Sequence, residues 1–126
     1  MTQAELTLVD LRAQVKAALS GMSCTVPFQV RERWNRQELS GAVVTYAEKD
    51  NRSTECSVVD ELSYQIDIWA QERGEVTALC AAVNTAMLNL GLKRQEKRED
   101  VAEDGLRHCA LVFGGRVDKR FMRWID

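Results

Sequence analysis

Side chains able to serve as a nucleophile or a general base are scarce in this chain. It has one histidine, His108, and four cysteines, Cys24, Cys56, Cys80 and Cys109. A thiol nucleophile needs a base within hydrogen-bond reach. Cys109 adjoins His108, but neighbours in an extended segment project to opposite faces, so these two do not form the pair. Cys24 or Cys56 would have to meet His108 through the fold. No CxxC pair is present, and one histidine with scattered cysteines lacks the ligand spacing of a zinc site. The reading is therefore no catalytic residue, no metal ligand and no cofactor, with His108 an ordinary surface residue.

Other chemical signatures fail for stated reasons. Neither a GxxxxGK[ST] phosphate loop, a GxGxxG fingerprint nor a GxSxG elbow occurs. Gly114 and Gly115 follow an apolar run, but the fingerprint's later glycine is missing, so they read as a bend or bulge. Carboxylates come in pairs, Asp60 with Glu61, Glu99 with Asp100, and Glu103 with Asp104. All lie in charge-rich stretches, where water keeps carboxylates ordinary acids and the expected role is solvation.

Bulk composition fits these negatives. The chain has 126 residues, 45% hydrophobic and 29% charged, the balance of one globular domain spanning residues 1–126. Its 17 basic and 19 acidic residues leave a formal charge of −2, which gives no general drive toward nucleic acid or anionic lipid. No secretory leader or membrane-length apolar run is evident, so four reduced thiols in a cytoplasm are expected.

The elements that would position these residues follow from periodicity. Leu8, Leu11, Val15 and Leu19 recur at helical spacing ahead of Gly21, predicting a helix over residues 4–20. Residues 25–30 alternate as a strand, with Pro27 suited to a sheet edge or strand start. Residues 31–40 form a polar loop around Trp34. A β-branched strand over 42–47 leads to a hairpin tip at 49–53. Leu62, Tyr64, Ile66 and Ile68 alternate with polar residues and Trp69, the period of a half-buried antiparallel strand. Val76, Leu79, Cys80, Val83, Met87 and Leu90 then share one helical stripe closed by Gly91. The mixed-charge run 93–100 reads as a solvated loop or an exposed strand pair. Its sharper reading is an electrostatic contact with a partner subunit. Residues 106–113 are strand-like. The order gives an α+β fold, a mostly antiparallel sheet with two helices packed on one face.

The C-terminal residues 116–126 interleave basic and aromatic side chains, which nucleic-acid-binding surfaces also do, but Asp118 and Asp126 dilute the charge. Tryptophan and arginine are enriched at interface centres. Trp34, Trp69 and Trp124 fall where a monomer core does not plainly claim them. With Arg116 and Phe121 they are the candidate subunit-interface residues.

Residues 62–70, the helix closed by Gly91, the charged run and residues 105–118 together resemble the tail completion proteins of long-tailed phages and prophages, the tail-terminator or tail-to-head joining group. The likeness covers residues 5–118. It implies an α+β protein without enzymatic activity or cofactor, acting as a homo-oligomeric ring, usually a hexamer. Such a ring caps the tail tube and meets the major tail protein and the head-completion or connector proteins. DNA passes through it without sequence recognition, and its place is the virion, after synthesis in the bacterial host. Residues 119–126 match no pattern of that family and are read as a docking tail. The alternatives are another head–tail connector, stopper or minor tail protein, a thiol enzyme using Cys24, Cys56 or His108, and a nucleic-acid-binding regulatory module.

Overall fold

A computed structural model describes residues 1–34, 41–102 and 104–125. Its elements are α1 (Gln3–Leu6), α2 (Arg12–Ser20), β1 (Phe28–Arg31), β2 (Ala42–Ser53), β3 (Val59–Ala70), α3 (Arg73–Leu90), β4 (Lys93–Val101), β5 (Arg107–Asp118) and β6 (Arg123–Ile125). The strands form one sheet in the order β1-β2-β3-β5-β4, with β6 continuing the β4 edge along β5. Only the β1–β2 pair is parallel, so the α+β, mostly antiparallel expectation holds. The charged run is strand β4, and every one of its residues is exposed.

Alternation in β3 sets the two faces. Leu62, Tyr64, Ile66, Ile68 and Ala70 are buried toward the helices, opposite Gly115, Phe113, Leu111, Cys109 and Arg107 of β5. Onto this face α3 lays Val76, Leu79, Cys80, Val83 and Met87, and α2 lays Val15 and Leu19. Burying a side chain of this size contributes roughly 1.5–3 kcal/mol, so these residues dominate the stability. Helix α3 opens with a reciprocal capping box between Glu72 and Glu75. It stops at Gly91, whose φ of 108° is the left-handed conformation a C-terminal cap requires.

Several sequence expectations need correction. The helix over residues 4–20 is two helices, because residues 7–11 leave helical conformation and Leu8 is 82% exposed. Val9 turns into the core instead, and the Asn51 side chain donates to its carbonyl at 2.7 Å. Leu11 at the N-terminal end of α2 makes no side-chain cap; the Asp10 carboxylate accepts from the Arg12 amide and the Tyr64 hydroxyl from the Leu11 amide, each at 3.0 Å. The hairpin tip lies beyond residues 49–53, which continue β2 past a register shift between Glu48 and Asp50. Gly114 and Gly115 lie within continuous β5, and the irregularity is on its neighbour, between Arg94 and Glu96. Both glycines permit close approach: a Cβ on Gly114 would stand 2.6 Å from the Gln95 side chain, and one on Gly115 would stand 2.8 Å from the Trp124 ring.

Candidate assembly surface

The sheet face turned away from the helices carries the single histidine, His108. His108 pairs directly with Trp69 across β3 and β5, and their rings stack with centroids 4.0 Å apart and planes 15° apart. Trp34 also packs against Trp69, its ring centroid 5.5 Å away and tilted by 47°. Asp67 contacts His108 Nε2 at 2.6 Å, and Asp100 contacts Nδ1 at 3.1 Å. The His108 side chain is only 11% exposed, so it is not the ordinary surface histidine the sequence implied. Strand alternation cannot reveal this, because the aspartates come from two different strands whose register the sequence leaves open.

This arrangement holds a ring in place and does not activate a nucleophile. Cys109 is buried on the opposite face, as strand geometry requires. Cys56 sits in the β2–β3 turn beyond Val59, while His108 pairs with Trp69 at the other end of β3, about 30 Å away at strand rise. Cys24 precedes β1 and packs against the core on the helix side. A concavity of about 750 Å³ runs between the end of α2 and α3 past Met22, Cys24, Ala82 and Ala86. Among its described lining residues there is no carboxylate, histidine or lysine, so convergent acid–base groups are missing from it.

Farther along the same face, Lys49 of β2 and Glu96 of β4 meet at 3.7 Å above the two intervening strands. Gln95 lies over Gly114, Glu96 pairs with Val112, and Ser63 donates to Asp50 at 3.1 Å; Val112 and Ser63 are 4% exposed despite facing away from the helices.

The opposite end of the sheet is bound together by groups that the sequence reading treated as solvated. Asp60 is buried, and its carboxylate lies 3.5 Å from the Lys119 ammonium. Lys119 also donates to the backbone carbonyls of Glu5 and Thr7, at 3.3 and 3.4 Å, tying α1 to the end of β5. Glu61 stays near the surface beside Arg52 at 3.3 Å and Arg116 at 3.9 Å. Glu99 and Asp100 belong to exposed β4, and Glu103 lies outside the described residues. Arg120 grips Asp118 through two guanidinium hydrogen bonds and one from its backbone amide, which hold that carboxyl below its usual range. Lys119, Arg120 and Arg116 are therefore engaged with carboxylates, which weakens the basic C-terminus as a nucleic-acid patch.

Trp124 sits in β6 on the helix side, against Gly91 and Gly115, and packs on the core. The isolated chain thus claims this ring, and Trp34 and Trp69 claim each other. Arg116 and Phe121 remain largely exposed, at 62% for the Arg116 side chain and 66% for Phe121. Around them lies a feature that the sequence did not single out. Among the described residues, five of the eight exposed large apolar side chains, Leu6, Leu8, Phe121, Met122 and Ile125, belong to α1, the segment after it, or the β5–β6 turn and β6. Lys119 joins these segments at one end of the sheet, which makes the grouping a tertiary property.

One further cluster joins two buried cysteines to an exposed carboxylate of the β4 edge. The Sγ atoms of Cys80 and Cys109 and a Glu99 carboxylate oxygen all fall within 4.8 Å of one another, although no local spacing announced them. Contact with Cys109 and burial push the Cys80 thiol above its ordinary range, while the same contact lowers Cys109.

The class the geometry defines is an α+β sheet braced by polar contacts, with most of its exposed large apolar side chains, among the described residues, in the segments at one end. The family model described as tail completion protein gp17 matches residues 35–118, two thirds of the chain. The chain belongs to this family of phage tail proteins, which assigns it to the virion and to interaction with other tail components. The match runs from the segment before β2 to the end of β5, leaving α1, α2, β1 and β6 outside it. No curated protein matches the chain. Among the described residues no helix is long and apolar enough to cross a membrane.

Proposed function

We propose that the chain is a non-enzymatic virion component that closes the end of the tail tube as a homo-oligomeric ring, a hexamer, and joins the tail to the head. The observation that carries this reading is family membership over the central sheet and α3. A closed ring requires a heterologous interface, in which one patch meets a different patch on the next copy. Two surfaces suit the two sides. Strand β4 is a nine-residue edge with basic and acidic residues interspersed, which discourages indiscriminate edge pairing and sets register against a complementary neighbour. The other is the apolar end formed by Leu6, Leu8, Phe121, Met122 and Ile125. The short edge β1 lies on the far side of the sheet from β4 and is available to the same contact, with the half-buried Trp34–Trp69 pair on the sheet face between them.

In this reading the major tail protein and a head-completion or connector protein are the partners. DNA crosses the lumen without sequence recognition, and residues 119–126 contribute to docking through Phe121. The test is to add purified protein to tail tubes assembled without it and image them by electron microscopy. Ring-shaped density at one tube end, with recovery of head joining, is expected. A stable dimer with no affinity for tubes would sink the proposal.

A further inference from the structure

We propose that Cys80, Cys109 and Glu99 form a binding site for a thiophilic divalent cation, zinc foremost. Their three donor atoms form the one such group among the described residues, all within 4.8 Å of one another. Donors around a tetrahedral zinc with Zn–S near 2.3 Å stand about 3.5–3.8 Å apart, so small side-chain rotations close the site. The supporting elements are firmly placed. Cys80 projects from the buried stripe of α3, Cys109 faces it from near the start of β5, and Glu99 stands directly opposite Cys109 on β4. Helix, central strand and edge strand therefore each supply one ligand.

The donor set selects the metal. Two thiolates favour zinc over magnesium or calcium, which take all-oxygen shells. On binding, both thiol protons leave to solvent, and the cation's two positive charges face two thiolates and one carboxylate. Glu99 supplies the open side: its side chain is 44% exposed, and it borders a cleft of about 160 Å³ shared with Val76 and Val101. Water from that cleft completes a four-coordinate shell, as in zinc sites with three protein ligands. Glu99 also contacts Lys97 at 3.3 Å, a solvent-exposed ion pair that competes only weakly. A bound cation would pin α3 to the β4 edge, the strand with no buried residue of its own.

The experiment is anaerobic titration of the reduced full chain with cobalt(II), a spectroscopic stand-in for zinc. The expected result is tetrahedral d–d bands and thiolate-to-cobalt charge transfer that saturate at one equivalent and are abolished by zinc. Cys24→Ser with Cys56→Ser should leave the bands intact. Cys80→Ser or Cys109→Ser should remove them. Glu99→Gln, at an exposed position that keeps the core whole, should weaken affinity by at least the roughly 10–100-fold that loss of an outer supporting contact costs. Bands that persist in Cys80→Ser, are unmoved in Glu99→Gln or vanish in the Cys24/Cys56 variant overturn the assignment. So does a titration without a one-equivalent endpoint.

Discussion

Lys119 Nζ lies 3.5 Å from Asp60 Oδ1 with both side chains almost wholly buried, 5% and 8% exposed. The pair joins the start of β3 to the residue after β5, and through the Glu5 and Thr7 carbonyls it holds the N-terminal segment down. A buried pair adds little over an apolar replacement, but removing one partner strands the other charge. Lys119→Met is expected to cost about 3–5 kcal/mol in urea unfolding, with Asp60→Leu/Lys119→Met recovering most of it. A single-variant loss below about 1 kcal/mol would show that water reaches Asp60.

Tyr64 gives the stability a pH dependence. Burial raises the phenol above its ordinary pKa of 10.0, although its bond to the Leu11 amide works the other way, and burial raises Tyr46 in the same direction. The folded chain therefore keeps a proton that the unfolded chain releases, so this contribution is full below about pH 10 and lost as pH rises through the folded value. Tyr64→Phe should cost about 0.5–1.5 kcal/mol at pH 8 by orphaning the Leu11 amide. The gap between wild type and variant should shrink above pH 10, and a gap that widens would contradict this account.

Gly91 and Trp124 form a steric lock between the end of α3 and β6. A Cβ on Gly91 would lie 2.4 Å from Trp124 Cδ1, at a backbone φ of 108°. Gly91→Ala should therefore cost more than the roughly 1–2 kcal/mol of left-handed backbone strain alone. In a Trp124→Ala background the same change should cost at least about 0.5 kcal/mol less, measured as a double-mutant cycle. Strict additivity would mean that the indole moves aside freely.

The apolar end should matter to assembly and not to folding. Phe121 and Met122 are 66% and 52% exposed, so Phe121→Ser/Met122→Asn should shift unfolding by no more than about 0.5 kcal/mol. Asparagine suits Met122 because its φ is 51°. Attachment to tail tubes should fall by at least about tenfold, the equivalent of 1.4 kcal/mol. Undiminished attachment would move the contact surface elsewhere.

The elements of the fold were legible where one period dominates. Leu62, Tyr64, Ile66 and Ile68 announce β3, and the Val76-to-Met87 stripe with Gly91 announces α3, because a single buried face imposes its spacing on the sequence. Residues 4–20 misled for the converse reason: Leu8 sits at a helical interval but lies in a connector outside the helices. The charged run of β4 could not be assigned from its residues, since an edge strand with no buried face has no alternation to show.

By itself, then, the sequence determined the α+β class, the core-facing residues of β3 and α3, and the resemblance that the family match substantiates. Local periodicity suffices for each. Tertiary structure alone decided which distant side chains meet: Asp60 with Lys119, His108 with Asp67 and Asp100, and Cys80 with Cys109 and Glu99. These contacts join different strands, a strand to a helix, or a strand to the turn after β5, and they depend on strand order and register. A one-residue change of register would move every partner to the opposite face, and no local pattern of residue types specifies that register.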